Sequence, residues 1–340
     1  MPDPISLRTR PTAAGDILPG DAAAQRRAAQ PRRGPGLHVA LFFATFATAT
    51  LSNAMMQGVD VFSDPAAVAA GVPYALALMA ILLAHEMGHY VLARVHDVDA
   101  TLPYFIPAPP GIFFIGTLGA FIRMRSLPRD RRALFDVGAG GPWAGIVAAL
   151  PMLVLGLALS EVIPGDTAHA AGLFLGDSLL FQGLTWLVLG VSSSEATIIL
   201  HPIALAGWVG LLVTALNLLP VGQLDGGHVV YAAFGARWHR WISLGTLVFL
   251  IVLGLGGAAT WLVWAALLTF LGLRHPRIVD VETPLDRRRQ LGAVATLLLF
   301  VLTFMPEPLA FKTPLPPIER DPDAIPVHAP AVPRRAGAWT

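Results

Sequence analysis

The chain contains no cysteine in 340 residues. Disulfide scaffolds and thiolate metal sites are therefore excluded, and any metal must sit on His, Asp or Glu. Charge is the second shortage. Only 13% of the residues are Asp, Glu, Lys or Arg, against about 25% in soluble globular domains. The net charge is +1, so there is no basic excess of the kind that nucleic-acid binding requires. No Gly-X-Y period accompanies the 33 Gly and 29 Pro, which excludes a collagen-like chain. Hydrophobic residues make up 55% of the sequence, which excludes a disordered protein and disfavours an ordinary cytosolic enzyme. What remains is a polytopic membrane protein.

The missing charge is concentrated in runs. No Asp, Glu, Lys or Arg occurs in 34–59, 65–84, 100–122, 137–160, 178–194, 196–224, 241–273 or 290–306. A membrane helix needs about 20 apolar residues, and 38–57, 72–95, 138–159 and 201–222 supply them. Glycines at 254, 256 and 257 divide the long run into helices near 241–256 and 258–273, and 290–305 is a short last span. The stretch 100–122 carries Pro103, Pro107, Pro109 and Pro110, which deny it a helix. Its aromatic and β-branched content predicts a re-entrant loop or β-hairpin. The expected fold class is an all-α polytopic membrane protein with six to seven transmembrane helices and this loop or hairpin after the second.

Arginines set the orientation. Six precede the first span, six lie between Arg94 and Arg132, two (Arg237 and Arg240) lie in a loop expected at 223–240, and five lie within 274–289, whereas 58–71 and 160–200 carry none. All fall on one side if 173–190 dips into the bilayer without crossing it, which places the N-terminus in the cytoplasm. The expected organisation is a disordered cytoplasmic arm over 1–36, a membrane catalytic core over 37–235, further C-terminal transmembrane helices over 236–305 and a Pro-rich tail over 306–340. The arm has no apolar core of a signal peptide. The basic loop after Ile122 is expected to meet anionic headgroups.

Chemistry enters at H-E-M-G-H, residues 85–89. On a helix, positions i and i+4 share a face, so His85 and His89 can chelate one Zn²⁺, with Glu86 placed as general base. Amide hydrolysis at neutral pH needs a nucleophile and a Lewis acid, and zinc supplies both. Ionisable groups inside a bilayer are costly, so this triplet points to function. A tetrahedral catalytic site needs a third protein ligand. His96, His201, His228, Asp177, Glu195 and Asp225 are the candidates. Asp225 stands out because it follows the uncharged run 196–224 at a depth that matches His85 and His89. Pro220 interrupts the helix ahead of it, and Gly226 and Gly227 permit a sharp turn beside its carboxylate.

H-E-M-G-H followed by N-x-x-P-x-x-x-L-D-G-G at 217–227 resembles the site-2 protease family of intramembrane zinc metalloproteases, peptidase family M50. G-P-W-A-G at 141–145 and G-T-L-G-A-F-I at 116–122 resemble that family's intervening motifs. The match covers roughly 70–235, and it is similar to the branch without an inserted PDZ domain. The resemblance implies one Zn²⁺ per chain on His85, His89 and Asp225, with Glu86 as general base and proton shuttle. It implies that Asn217 bonds the substrate or the oxyanion, the alternative being an interhelical hydrogen bond. Gly116 and Gly119 would lie on a strand that pairs with an unwound substrate, since a membrane helix hides its amides from attack. Gly141, Pro142 and Gly145 read as helix packing. His228, three residues after Asp225, is a candidate to orient that carboxylate. His201 reads as a capping or interfacial group.

The expected function is hydrolysis of a peptide bond within or near the span of a single-span membrane protein, in the lipid bilayer and without nucleic acid. The expected location is a multi-pass position in a bacterial inner membrane. The competing readings are a membrane metal transporter or channel and an inactive protease-like scaffold.

Overall fold

A computed structural model describes residues 34–164, 172–192, 196–273, 275, 278 and 280–312. Most of the expected N-terminal arm, Glu195 and the tail beyond residue 312 lie outside the described residues.

Chain order begins with α1 (Gly36–Met56) and a 3₁₀ turn (Pro65–Gly71) that leads directly into α2 (Val72–Val95). Two strands follow, β1 (Tyr104–Pro107) and β2 (Thr117–Phe121), and then α3 (Arg131–Ala158), started by the Asp130 carboxylate accepting from the Ala133 amide at 2.8 Å. Next come β3 (Glu161–Pro164), β4 (Gly172–Leu175), α4 (Leu179–Leu189), β5 (Ala196–Ile199) and α5 (Pro202–Asn217). The chain continues with α6 (Asp225–Leu255), α7 (Thr260–Leu271), α8 (Arg287–Thr303) and β6 (Leu309–Lys312).

The protein is mostly helical. The strands form three antiparallel two-stranded ribbons, β1 with β2, β3 with β5 and β4 with β6. Among the described residues, β3 with β5 and β4 with β6 depart from the expected all-α class, while β1 with β2 lies in the stretch read as a re-entrant loop or β-hairpin. Four helical segments among the described residues are long and apolar enough to cross a membrane: Gly36–Met56, Pro65–Val95, Arg131–Ala158 and Asp225–Leu255. At 1.5 Å per residue the 11-residue α4 reaches only about 16 Å, against a hydrocarbon core of about 30 Å.

One expectation is corrected. The segment 223–240, read as a basic loop because of Arg237 and Arg240, is helical from Asp225 onward. The helix is bent at Gly235, whose φ of 80° and ψ of 174° lie outside the helical region. Arg131 bonds the carbonyls of Ala232 and Ala233 at 2.7 and 2.8 Å, which satisfies acceptors that the bend exposes. A sequence pattern of charge cannot distinguish a loop from a helix that leaves the apolar region.

The core is built around α5. Its residues 204–212 are all buried, with Trp208 and Leu211 fully so. Close approach depends on small residues. A side chain at Gly156 would meet the Ala204 amide at 2.1 Å, and one at Gly207 would meet Leu153 at 2.6 Å. Gly88 on α2 and Gly140 on α3 touch in the same way, at 2.4 Å. Such packing replaces the hydrophobic effect, which lipid does not supply between helices. The outer faces carry large exposed apolar residues, among them Leu76, Val91, Val147, Leu155, Val252 and Leu298. Exposed apolar faces on long apolar helices are those of a multi-pass membrane protein.

Candidate metal centre

His85 and His89 lie one turn apart on α2, with the interposed Glu86 on the same side of the cavity. Asp225 is the first residue of α6. The turn before it is possible only with glycine. A side chain at Gly226 would meet the Leu218 carbonyl oxygen at 1.9 Å, and Gly222 adopts φ +56°. The Pro220–Gly227 stretch therefore folds back tightly enough to carry the carboxylate onto α2.

The result is a convergence of three ligand atoms. Nε2 of His85 lies 3.3 Å from Oδ2 of Asp225, Nε2 of His89 lies 3.2 Å from the same oxygen, and the two Nε2 atoms are 3.2 Å apart. Ligand-to-ligand edges of a tetrahedral zinc site with bonds of about 2.0 Å are about 3.3 Å. The donor set agrees with the spacing. His89 Nδ1 is 2.7 Å from the Val137 carbonyl oxygen, which can only accept, so Nδ1 carries the proton and Nε2 presents a lone pair. The His89 lone pair turned toward a carboxylate oxygen calls for a cation between them. Among the described residues, this is the group of three that could hold a metal ion.

Glu86 is buried, and its Oε2 has no hydrogen-bond partner among the described residues. The backbone amide of Ile122, just past β2, lies against the same carboxylate. A cavity of about 480 Å³ opens here, lined by the His pair, Glu86, Asp225, Asn217 and the strand segment 120–125.

Asn217 ends α5, and its Nδ2 is 3.2 Å from His85 Nε2, so it joins the cluster. His228 lines the cavity, but its Nδ1 bonds His275 Nε2 at 2.6 Å, in place of the expected contact with the Asp225 carboxylate. His275 follows α7 in a basic flank and carries no signal that would single it out in the sequence. Gly116 is displaced from its expected role. It precedes β2, and a side chain there would meet Ala49 Cα at 2.5 Å, so it packs against α1. Its carbonyl accepts from the Thr48 hydroxyl at 2.7 Å. Gly119 lies within β2 with open space around it.

The remaining candidates lie elsewhere. His96 caps the end of α2 and bonds Asp136 at 2.7 Å, and Arg289 holds the same carboxylate at 2.6 Å. His201 accepts from the Ile203 amide at the start of α5, a capping role. Asp177 is not among the three clustered ligands.

One contribution was missed in the sequence. Gly141 and Gly145, read as helix packing, face the ligands. A side chain at Gly141 would meet His89 Nε2 at 2.0 Å, and one at Gly145 would meet His85 Nδ1 at 3.0 Å. With Gly138, which abuts His228, they form one face of α3 that leaves room for three imidazoles.

The model of peptidase family M50 matches residues 73–256, which include His85, Glu86, His89, Asn217, Asp225 and the glycines of α3. The chain belongs to peptidase family M50. It is 34% identical over 265 residues to "Probable zinc metalloprotease EGY1, chloroplastic" of Arabidopsis thaliana, covering 73% of this chain and 47% of that protein. It is 35% identical over 254 residues to the protein of the same name from Oryza sativa subsp. japonica, covering 70% and 41%. To "Probable zinc metalloprotease EGY2, chloroplastic" of Oryza sativa subsp. indica it is 33% identical over 249 residues, covering 71% and 44%. The chain thus spans about half the length of the curated relatives it matches. No solved structure matches it significantly. The expectation of a bacterial inner membrane is not borne out, because these M50 relatives are named as chloroplastic proteins of plants.

Proposed function

We propose that this M50 chain is an intramembrane zinc endopeptidase that cuts a membrane protein within or near its single span. The observation that carries the reading is the meeting of His85, His89 and Asp225 within 3.3 Å, beside a buried Glu86 with an unpartnered oxygen.

Zinc on these three residues would supply a Lewis acid for the scissile carbonyl and a nucleophile at neutral pH. The chain's own groups supply the rest. The Val137 carbonyl holds His89 in the tautomer that offers Nε2 to the metal. Glu86 accepts the proton of the attacking water at its carboxylate and delivers it to the departing amine. Asn217 offers an amide donor at the cavity wall, and the strand from Ala120 to Met124, which follows Gly119, offers backbone groups to an extended substrate. His228 and His275 close the wall behind Asp225.

In this reading α5, α7 and α8 supplement the four long helices, for six to seven crossings, while α4 dips into the bilayer without crossing it and the β1–β2 ribbon dips toward the site. The N-terminus lies on the side that carries the basic loops.

The deciding experiment is Glu86→Gln in the purified full chain. Cleavage of a membrane-protein reporter should fall by about 10²- to 10⁴-fold, with one zinc per chain retained. Cleavage at the wild-type rate by this variant would overturn the reading.

A further inference from the structure

The strand that passes the site has one edge in use and one edge free. Beyond Phe121 it keeps its partner: the Thr101 amide donates to the Arg123 carbonyl at 3.0 Å, and the Arg125 amide donates to the Asp99 carbonyl at 2.7 Å. Arg123 also donates its own amide to the Thr101 hydroxyl at 3.0 Å. Residues 123 and 125 therefore direct their backbone groups inward, toward 99–101. Successive residues of a strand direct theirs to opposite sides. Ala120, Ile122 and Met124 accordingly present amides and carbonyls to the outer edge. That edge is the one turned to the site, since residues 120–125 line the cavity that holds Glu86 whereas their inner partners 99–101 do not.

The side chains alternate as well. Phe121, Arg123, Arg125 and Leu127 are exposed, whereas Ala120, Ile122, Met124 and Ser126 are half-buried. Arg123 and Arg125 thus stand on one face, about 7 Å apart along the strand, and both line the cavity that holds Glu86. Asp99 reaches Arg125 only at 3.9 Å, with both side chains about half exposed. Among the described residues no carboxylate lies within 4.0 Å of Arg123. The two cations sit one and three residues beyond the point where the strand meets Glu86, toward the basic segment 129–132.

We infer that Arg123 and Arg125 determine specificity, by selecting substrates with acidic side chains at alternate positions flanking the scissile bond. The inference rests on the protease reading and deepens it. An extended peptide on the outer edge places its side chains on the same two faces as β2. Carboxylates on the exposed face then stand across from the two guanidiniums, where opposite charges attract and the planar fork of Arg can grip both oxygens. Bilayer headgroups offer negative charge too, but the cavity wall favours a peptide, because the same six residues that carry the arginines also border Glu86.

The test uses the full-length Glu86→Gln protein in detergent micelles, so that a bound peptide is not consumed. The probes are three fluorescein-labelled peptides with the same apolar half, and Glu, Gln or Lys at two alternate positions of the polar half. The Glu peptide should bind about three- to tenfold tighter than the Gln peptide, with the margin shrinking as salt rises. Arg123→Glu with Arg125→Glu should shift the preference to the Lys peptide, and Arg123→Gln with Arg125→Gln should abolish it. Zinc titration of each variant confirms an intact cavity. Equal binding of Glu and Gln peptides, or a preference that survives the reversal, overturns the inference. So does a reversal that alters only partition onto vesicles containing anionic lipid. The protease reading fails separately, through wild-type protein that cuts no reporter, while the peptide preference is still measurable.

Discussion

His89 Nδ1 donates to the carbonyl oxygen of Val137 at 2.7 Å, and this contact between α2 and α3 fixes which nitrogen of the ring faces Asp225. The helix that packs against the ligands thereby also orients them. Val137 is followed by Gly138, Gly141 and Gly145, so the same helix supplies the anchor and the empty space beside it. Metal holding and helix packing are one arrangement here, and variants of either should be read by metal content as well as by melting.

Asn217 distinguishes positioning from simple packing. Its Nδ2 is 3.2 Å from His85 Nε2, the nitrogen that a metal would occupy. Once that lone pair is engaged, the amide is a donor available to a substrate oxygen. Asn217→Ala should keep one zinc per chain and lose roughly 10²-fold in cleavage, the scale set by loss of an oxyanion donor. Metal analysis paired with reporter cleavage checks this. Unchanged cleavage together with a lowered melting temperature would instead identify an interhelical bond.

Metal removal should register in stability. A ligand that binds only the folded state adds about 2.7 kcal/mol when its free concentration is 100 times its dissociation constant. Chelation should lower the melting temperature of the wild-type chain in micelles, and added zinc should restore it. Asp225→Ala should melt at a temperature that neither treatment moves. A wild-type melting curve indifferent to chelator would count against the metal centre itself.

The sequence exposed the ligands because their chemistry is visible in spacing and context. His85 and His89 share a helical face by arithmetic, and Asp225 is an acid at the end of an uncharged run. It concealed what depends on approach between backbones. Nothing in G-P-W-A-G says that Gly141 touches an imidazole and not an ordinary apolar side chain. His275 reaches His228 from 47 residues away, through a connection whose composition gives no hint of it. The edge of β2 that meets Glu86 runs through Ile122, whereas the glycines had drawn attention to Gly116, which is committed to α1. The helical stretch from Asp225 to Arg240, ahead of the helix expected near 241–256, was hidden by its arginines, because a charged helical turn and a charged loop have the same composition.

Gly141 yields the sharpest test of the packed metal centre. A methyl group there would lie 2.0 Å from His89 Nε2 and 2.4 Å from two ring carbons. The ring cannot swing aside without giving up its bond to Val137, so the clash falls on the ligand geometry. Alanine is otherwise the better helix former by about 1 kcal/mol, so Gly141→Ala should leave helical content intact. Zinc affinity should fall by at least about 100-fold, the upper range for disturbing the support of a ligand. Gly183→Ala in α4, where no atom lies within 4 Å, is the control. It should leave zinc binding unchanged and stabilise by about 0.4–1 kcal/mol at most. Competition titration with a zinc indicator, alongside circular dichroism, reads both variants. Wild-type zinc affinity in Gly141→Ala would show that α3 does not constrain the His pair.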